Sequence, residues 1–198
     1  MRTVRTGVFT LLALATVLRA ATPAASEASA GGVRWTVPAG WTTAPEKPMR
    51  VATYAIPAPA GQPAAAGQPP AAGQPPAAGQ DVGECGVFFF GRGQGGSVED
   101  NLARWKTQFE PAPTAKPTVQ TVHGLKVHEL DLSGAYLAPA GPMMQSQGKK
   151  ANWRLLGAIV EAPDGLVFFK CTGPAATMAK AEKDFQALVQ SLSKASKT

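Results

Sequence analysis

The chain has 198 residues, a formal net charge of +6 and a 44% hydrophobic composition, enough to bury a real core. Nineteen Lys and Arg residues stand against thirteen Asp and Glu, and no basic stripe is interleaved with aromatics, which argues against nucleic-acid binding. Beyond the N-terminus no segment is long and apolar enough to cross a bilayer.

Arg2 and Arg5 precede an apolar run from Gly7 to Leu18, and small residues follow. This is the layout of a secretory signal peptide, and it predicts a leader over residues 1–30. Ala28-Ser-Ala30 before Gly31-Gly32 is the preferred cleavage site. Ala24 and Ala28 are alternatives, because Arg19 lengthens the polar part. The run is too short for a membrane span, and no cysteine lies near it to carry a bacterial lipid anchor. The expectation is a periplasmic or secreted protein that is not lipid-anchored. Sixteen basic and twelve acidic residues remain after 30, a charge of +4, which suits solubility and a weak attraction to anionic surfaces.

Val33, Trp35 and Val37 alternate as a strand, and Pro38-Ala-Gly-Trp41 turns the chain. Trp35 and Trp41 read as core aromatics rather than the walls of a groove. Met49 to Ile56 is a second strand, ended by Pro57. From Gly61 the chain repeats every six residues as GQPAAA, GQPPAA, GQPPAA, then Gly79-Gln80. Proline and glycine at this density do not pack a core. Residues 58–80 therefore read as a solvated insertion within a single domain over 31–195.

The stretch Glu84 to Phe109, ECGVFFFGRGQGGSVEDNLARWKTQF, organises the rest. Val87 to Phe90 is an unbroken apolar run, so the strand is expected to be covered on both faces. Ser97 is a good N-cap, with Glu99 and Asp100 suited to the first turn. Val98, Leu102, Trp105 and Phe109 fall on one helical face. Gly91-Arg-Gly-Gln-Gly-Gly96 matches the glycine pattern of a dinucleotide site. The next strand, Thr118 to Val122, ends at His123 and Gly124 instead of a ribose-binding acid, so no cofactor is expected. Arg92, Gly93, Gln94 and Gly95 remain as a ligand or partner surface.

Leu125 to Leu132 follows as a further strand around the His123-Gly124 turn. Leu125 and Val127 are out of phase with Leu130 and Leu132, which predicts a bulge near His128 or one strand in a mixed environment. Glu129 and Asp131 share a strand face. His123 and His128 have no matching cysteine or carboxylate cluster, so no metal site is expected. Residues 138–152 form a second loop, where Met143 and Met144 beside Lys149 and Lys150 mark a partner surface. Pro163-Asp-Gly165 joins Trp153–Val160 to Leu166–Cys171 as a hairpin. Pro174 opens a last helix with Met178, Ala181, Phe185, Leu188 and Leu192 as its stripe, and the tail from Lys194 frays.

Cys85 and Cys171 are the only cysteines. Export raises the prospect of a disulfide. Without a strand register to join them, the balance tips to two buried thiols. The elements add up to an α+β fold: one mainly antiparallel sheet of about six to seven strands, covered by two main helices.

Trp35-Thr-Val-Pro-Ala-Gly-Trp41, with the element order after it, resembles the PsbP-like (Mog-type) α/β/α sandwich. MRVATYAIP, ECGVFFFGRGQGG, NLARWKTQF and LLGAIVEAPDGLVFFKCTGP also resemble an uncharacterised group of exported bacterial proteins. The resemblance implies export and a binding or accessory module, with no catalytic residue to carry over. The functional expectation is a non-catalytic exported domain whose partner is a protein or envelope component. Two alternatives stand beside it. One is a hydrolase with a site around Arg92–Ser97, His123 and Glu129, against which no GxSxG occurs. The other is a structural envelope protein with 58–80 as a spacer.

Overall fold

The computed structural model describes residues 26–59, 82–137 and 148–196. Residues 1–25 of the expected leader, the hexapeptide repeat and the Met143–Met144 pair lie outside the described residues.

Eleven strands and two helices follow in order: β1 (Ser26–Ala30), β2 (Val33–Val37), β3 (Thr42–Thr43), β4 (Ala52–Ile56), β5 (Gly83–Phe89), α1 (Val98–Lys106), β6 (Phe109–Glu110), β7 (Thr118–Val122), β8 (Leu125–Leu137), β9 (Lys149–Ala162), β10 (Gly165–Pro174), α2 (Ala175–Ser191) and β11 (Ser193–Lys194). They form two antiparallel sheets. The main sheet has eight strands in the order β3-β4-β5-β10-β9-β8-β6, with β7 also paired to β8. A smaller sheet has the order β1-β2-β11. The expected single sheet of six to seven strands is thus corrected to eight plus three. The additions β1, β3, β6 and β11 are two-residue or polar strands. Backbone pairing makes them, so they leave no apolar pattern in the sequence.

Two cores lie on opposite faces of the main sheet. On one face α2 and the small sheet cover Cys85, Val87, Leu156, Ala158, Val160, Val167, Phe169 and Cys171. Trp35 of β2 meets Phe169 edge-to-face at 5.1 Å, and its Nε1 donates to Tyr54 Oη at 3.1 Å. Trp41 is also buried. On the other face α1 lays Val98, Leu102 and Trp105 against Leu130, Leu132, Leu155, Ile159 and Phe168. Ser97 caps α1, accepting from the Asp100 amide at 3.0 Å. The helix ends at Lys106. Phe109, expected on its stripe, instead enters the same core from β6, opposite Tyr136. Gly157 of β9 lies under Trp105, where a Cβ would run directly into the indole ring.

Local signals explain the connections. Gly31 and Gly32 both take positive φ and turn β1 into β2, as a two-residue hairpin of this hand requires. His123 and Gly124 do the same between β7 and β8. Along β8 the register against β9 runs without a shift from Lys126 to Gly134. The phase change near His128 is therefore one strand crossing a mixed environment: Leu125 and Val127 meet the α2-side core, Leu130 and Leu132 the α1-side core. The bulge comes later, between Gly134 and Tyr136. The tail does not fray at Lys194. That residue pairs with Val33 in β11, and the Ala195 amide donates to Gly32.

Cys85 and Cys171 form the disulfide that the sequence left open, against its slight lean to two buried thiols. They stand directly opposite each other in the β5–β10 register. Hydrophobicity within either strand does not specify that register.

Candidate functional site

The glycine turn serves the fold. Gly91, Gly93, Gly95 and Gly96 have positive φ, and Gln94 donates from its amide to Gly91. Gly95 packs against the rings of Phe90 and Phe168. Asn101 Nδ2 donates to the Gly95 and Ser97 carbonyls at 2.8 and 2.7 Å. Arg92 reaches over to the next hairpin and donates to the Pro163 carbonyl at 2.8 Å.

The residues of the hydrolase alternative are dispersed. His123 Nδ1 lies 2.8 Å from the Leu192 carbonyl. His128 is buried, with Nε2 2.7 Å from Glu161. That contact, followed by Lys126, holds the Glu161 carboxyl below its usual range. Glu129 and Asp131 do share the face toward α2, but both are engaged. Glu129 accepts from Gln120 and Gln186. Asp131 holds Arg154 through two bonds of 2.8 and 2.5 Å, and Arg154 also donates to Glu182 at 2.8 Å. Ser97 is committed to its helix cap. Among the described residues no group of three His, Cys, Asp or Glu side chains is placed to hold a metal.

A different surface stands out on the α1 side. Side chains of α1 pack with Leu130 and Leu132 of β8, Leu155 and Ile159 of β9 and Phe168 of β10, while over β5 the same side carries Phe88 and the Arg50 guanidinium. Arg50 lies over the Phe88 ring at 5.5 Å, Phe88 stacks on Phe90 at 6.3 Å, and Phe90 meets Phe168 at 6.0 Å. The Val51 amide donates to Val87, tying this segment to β5. Met49 is 77% exposed, Val51 47% and Phe90 41%. Lys47 and Arg50 both pair with Glu84. Burial pushes that carboxyl up, but the two hydrogen bonds outweigh burial and leave it below its ordinary value.

Beside the strip stands Lys170 of β10. Its Nζ donates to Gln108 Oε1 at 2.5 Å and Tyr136 Oη at 3.2 Å, and lies 5.5 Å from the centre of the Tyr136 ring. Burial, then Arg50 and Arg104, push the amine down to about 8. Burial pushes the Tyr136 phenol up to about 12. Tyr136 stacks on Trp153 at 5.5 Å, and Lys150 sits over the Trp153 ring at 4.3 Å. Lys149, expected to face a partner, pairs with Glu110 at 2.5 Å. Sequence reasoning missed Lys170. The signal was a lone cation, on the same strand face as Phe168, between Phe169 and Cys171 in the strand expected over Leu166–Cys171.

No family model and no curated protein matches the sequence. Among solved structures the chain is similar to the solution structure of cyanobacterial PsbP (CyanoP) from Synechocystis sp. PCC 6803. The identity is 11%, the TM-score 0.50, and the match covers 92% of this chain and 99% of that one. The chain has a PsbP-like fold. Among the described residues no helix is long and apolar enough to cross a membrane.

Proposed function

We propose that this chain is an exported, non-catalytic domain that binds a protein or envelope component through the α1-side face of β4, β5 and β10. One observation carries the reading: Met49, Val51 and Phe90 are all exposed, and Phe90 continues the Arg50–Phe88 stack where Lys47 and Arg50 pair with Glu84. An apolar strip edged by charge is the usual form of an interaction surface. An enzyme of the hydrolase type would bring a histidine to the glycine turn alongside a carboxylate; the Asp164 carboxylate does lie 3.8 Å from Arg92, but no histidine joins it. Here His123 and His128 are spent on Leu192 and Glu161. Export rests on the basic start, the apolar run and the small residues after it.

The position of β1 bears on maturation. Cleavage after Ala30 would remove the strand paired with β2, whereas cleavage after Ala24 keeps it. N-terminal sequencing of the exported protein is expected to begin at Ala25, and a start at Gly31 would rule β1 out of the mature fold.

The mature chain and a Met49→Ser/Phe90→Ser variant, used as baits in an envelope extract from the source cell, test the binding reading. A component held by the first and lost by the second is expected. Equal retention by both baits, or substrate turnover abolished by His123→Ala, would overturn it.

A further inference from the structure

We propose that Lys170 is the centre of an anion site on this face, built to receive a carboxylate or phosphate group. Its two neighbours across the sheet are glycines, Gly86 in β5 and Gly157 in β9. Neither supplies a side chain, so other groups close in around the lysine. The Trp105 ring occupies the Gly157 side. On the Gly86 side the Arg50 guanidinium carbon lies 3.3 Å from where a Cβ would be.

The acceptors that hold Lys170 are neutral. Gln108 is an amide, and Tyr136 keeps its proton to about pH 12. An ammonium has three donors, and these contacts use two. Four cations gather here: Lys47, Arg50, Arg104 and Lys170. One carboxylate answers them, Glu84, and it is taken by Lys47 and Arg50. Arg104 donates to the neutral Asn101 side chain. Among the described residues no carboxylate pairs with Lys170 or Arg104, and the segments outside them carry a single acidic side chain, Asp81. A half-buried cation pressed by two others gains more from an oxyanion than a solvated surface lysine does, because little water screens the contact.

The site stands apart from the partner reading, so failure here leaves the Phe90 bait result as it is. The probes are inorganic phosphate and citrate, with chloride at matched ionic strength as reference. Two readouts are taken at pH 8: the thermal midpoint, and the rate of Lys170 acetylation mapped by mass spectrometry. At about ten times the dissociation constant an anion should raise the midpoint by roughly 3–6 °C. The same anion should slow Lys170 acetylation about tenfold, in line with occupancy. Protection by phosphate alone assigns a phosphate group, by citrate alone a carboxylate, and by both either group. Lys170→Gln should lose the midpoint shift and Arg104→Gln should weaken it, while Lys126→Gln keeps it. An equal shift in Lys170→Gln, or acetylation unchanged by either anion, would overturn the proposal. Where Lys170→Gln does not fold, the footprint on the wild-type protein decides.

Discussion

Breaking the Cys85–Cys171 bond tests the fold most directly. The two residues are 86 apart in sequence, and both are fully buried in the core shared with α2. Cross-linking ends that far apart removes about 4 to 5 kcal/mol of freedom from the unfolded chain in the chain-entropy model. Against the usual 5–15 kcal/mol of net stability, that is a large share. Urea unfolding should therefore show the reduced wild-type protein about 4 kcal/mol less stable than the oxidised one. Reduction keeps both sulfur atoms in place, so it isolates the cross-link. Cys85→Ala/Cys171→Ala should lose a further increment of roughly 1 kcal/mol for the space left in a packed core. Deleting residues 60–80 offers a control. They lie outside the loop that the bond closes, so the gap between oxidised and reduced protein should not change. A gap below about 1 kcal/mol would refute the reasoning.

Three further outcomes are expected. Gly157→Ala drives a methyl into the Trp105 ring and should cost about 1 to 3 kcal/mol in denaturant unfolding; Trp105→Leu in the same chain should recover part of it, a non-additivity that a double-mutant cycle reads. Ile56 pairs with Gly83, so replacing residues 57–82 by a two-residue hairpin turn should raise stability by about 2 kcal/mol through a shorter closure, seen as a higher urea midpoint. The folded Lys170 amine titrates near 8, below its unfolded value of about 10.4. The unfolded chain therefore holds more protons between these values, and stability should climb from pH 8 to pH 10 by on the order of 1 kcal/mol, after allowance for screening by water. Lys170→Met should flatten that climb, whereas Tyr136, raised to about 12, acts the opposite way above pH 10.

Much of the fold was legible because its signals are local. The cap at Ser97, the Pro163-Asp-Gly165 turn and the stripe from Met178 to Leu188 each announce themselves within a few residues, since capping, turn geometry and face burial are short-range; the run at Val87–Phe90, expected to be covered on both faces, is so only at Val87, because Phe90 lies beyond β5 and is 41% exposed. The acids Glu129 and Asp131 were rightly placed on one strand face, although their engagement by Arg154 and Gln186 was not foreseeable. The candidate site was scarcely legible. Arg92 to Gly95 drew notice by composition, while Met49, Arg50, Phe90, Arg104, Gln108, Tyr136 and Lys170 come from five separate parts of the chain and meet only through strand order.

Sequence alone determined the helices and the long strands, because side-chain periodicity dictates which faces must be buried; the PsbP-like arrangement was reached through a resemblance in Trp35–Trp41 and the order of elements. Tertiary structure decided the rest. It set Cys85 opposite Cys171, paired β1 and β11 with β2 where the sequence read as a leader and a frayed tail, and placed Lys170 between two glycines among cations with no acid of its own. Those features depend on register between distant strands, and register is settled by the whole sheet at once, not by any one stretch of it.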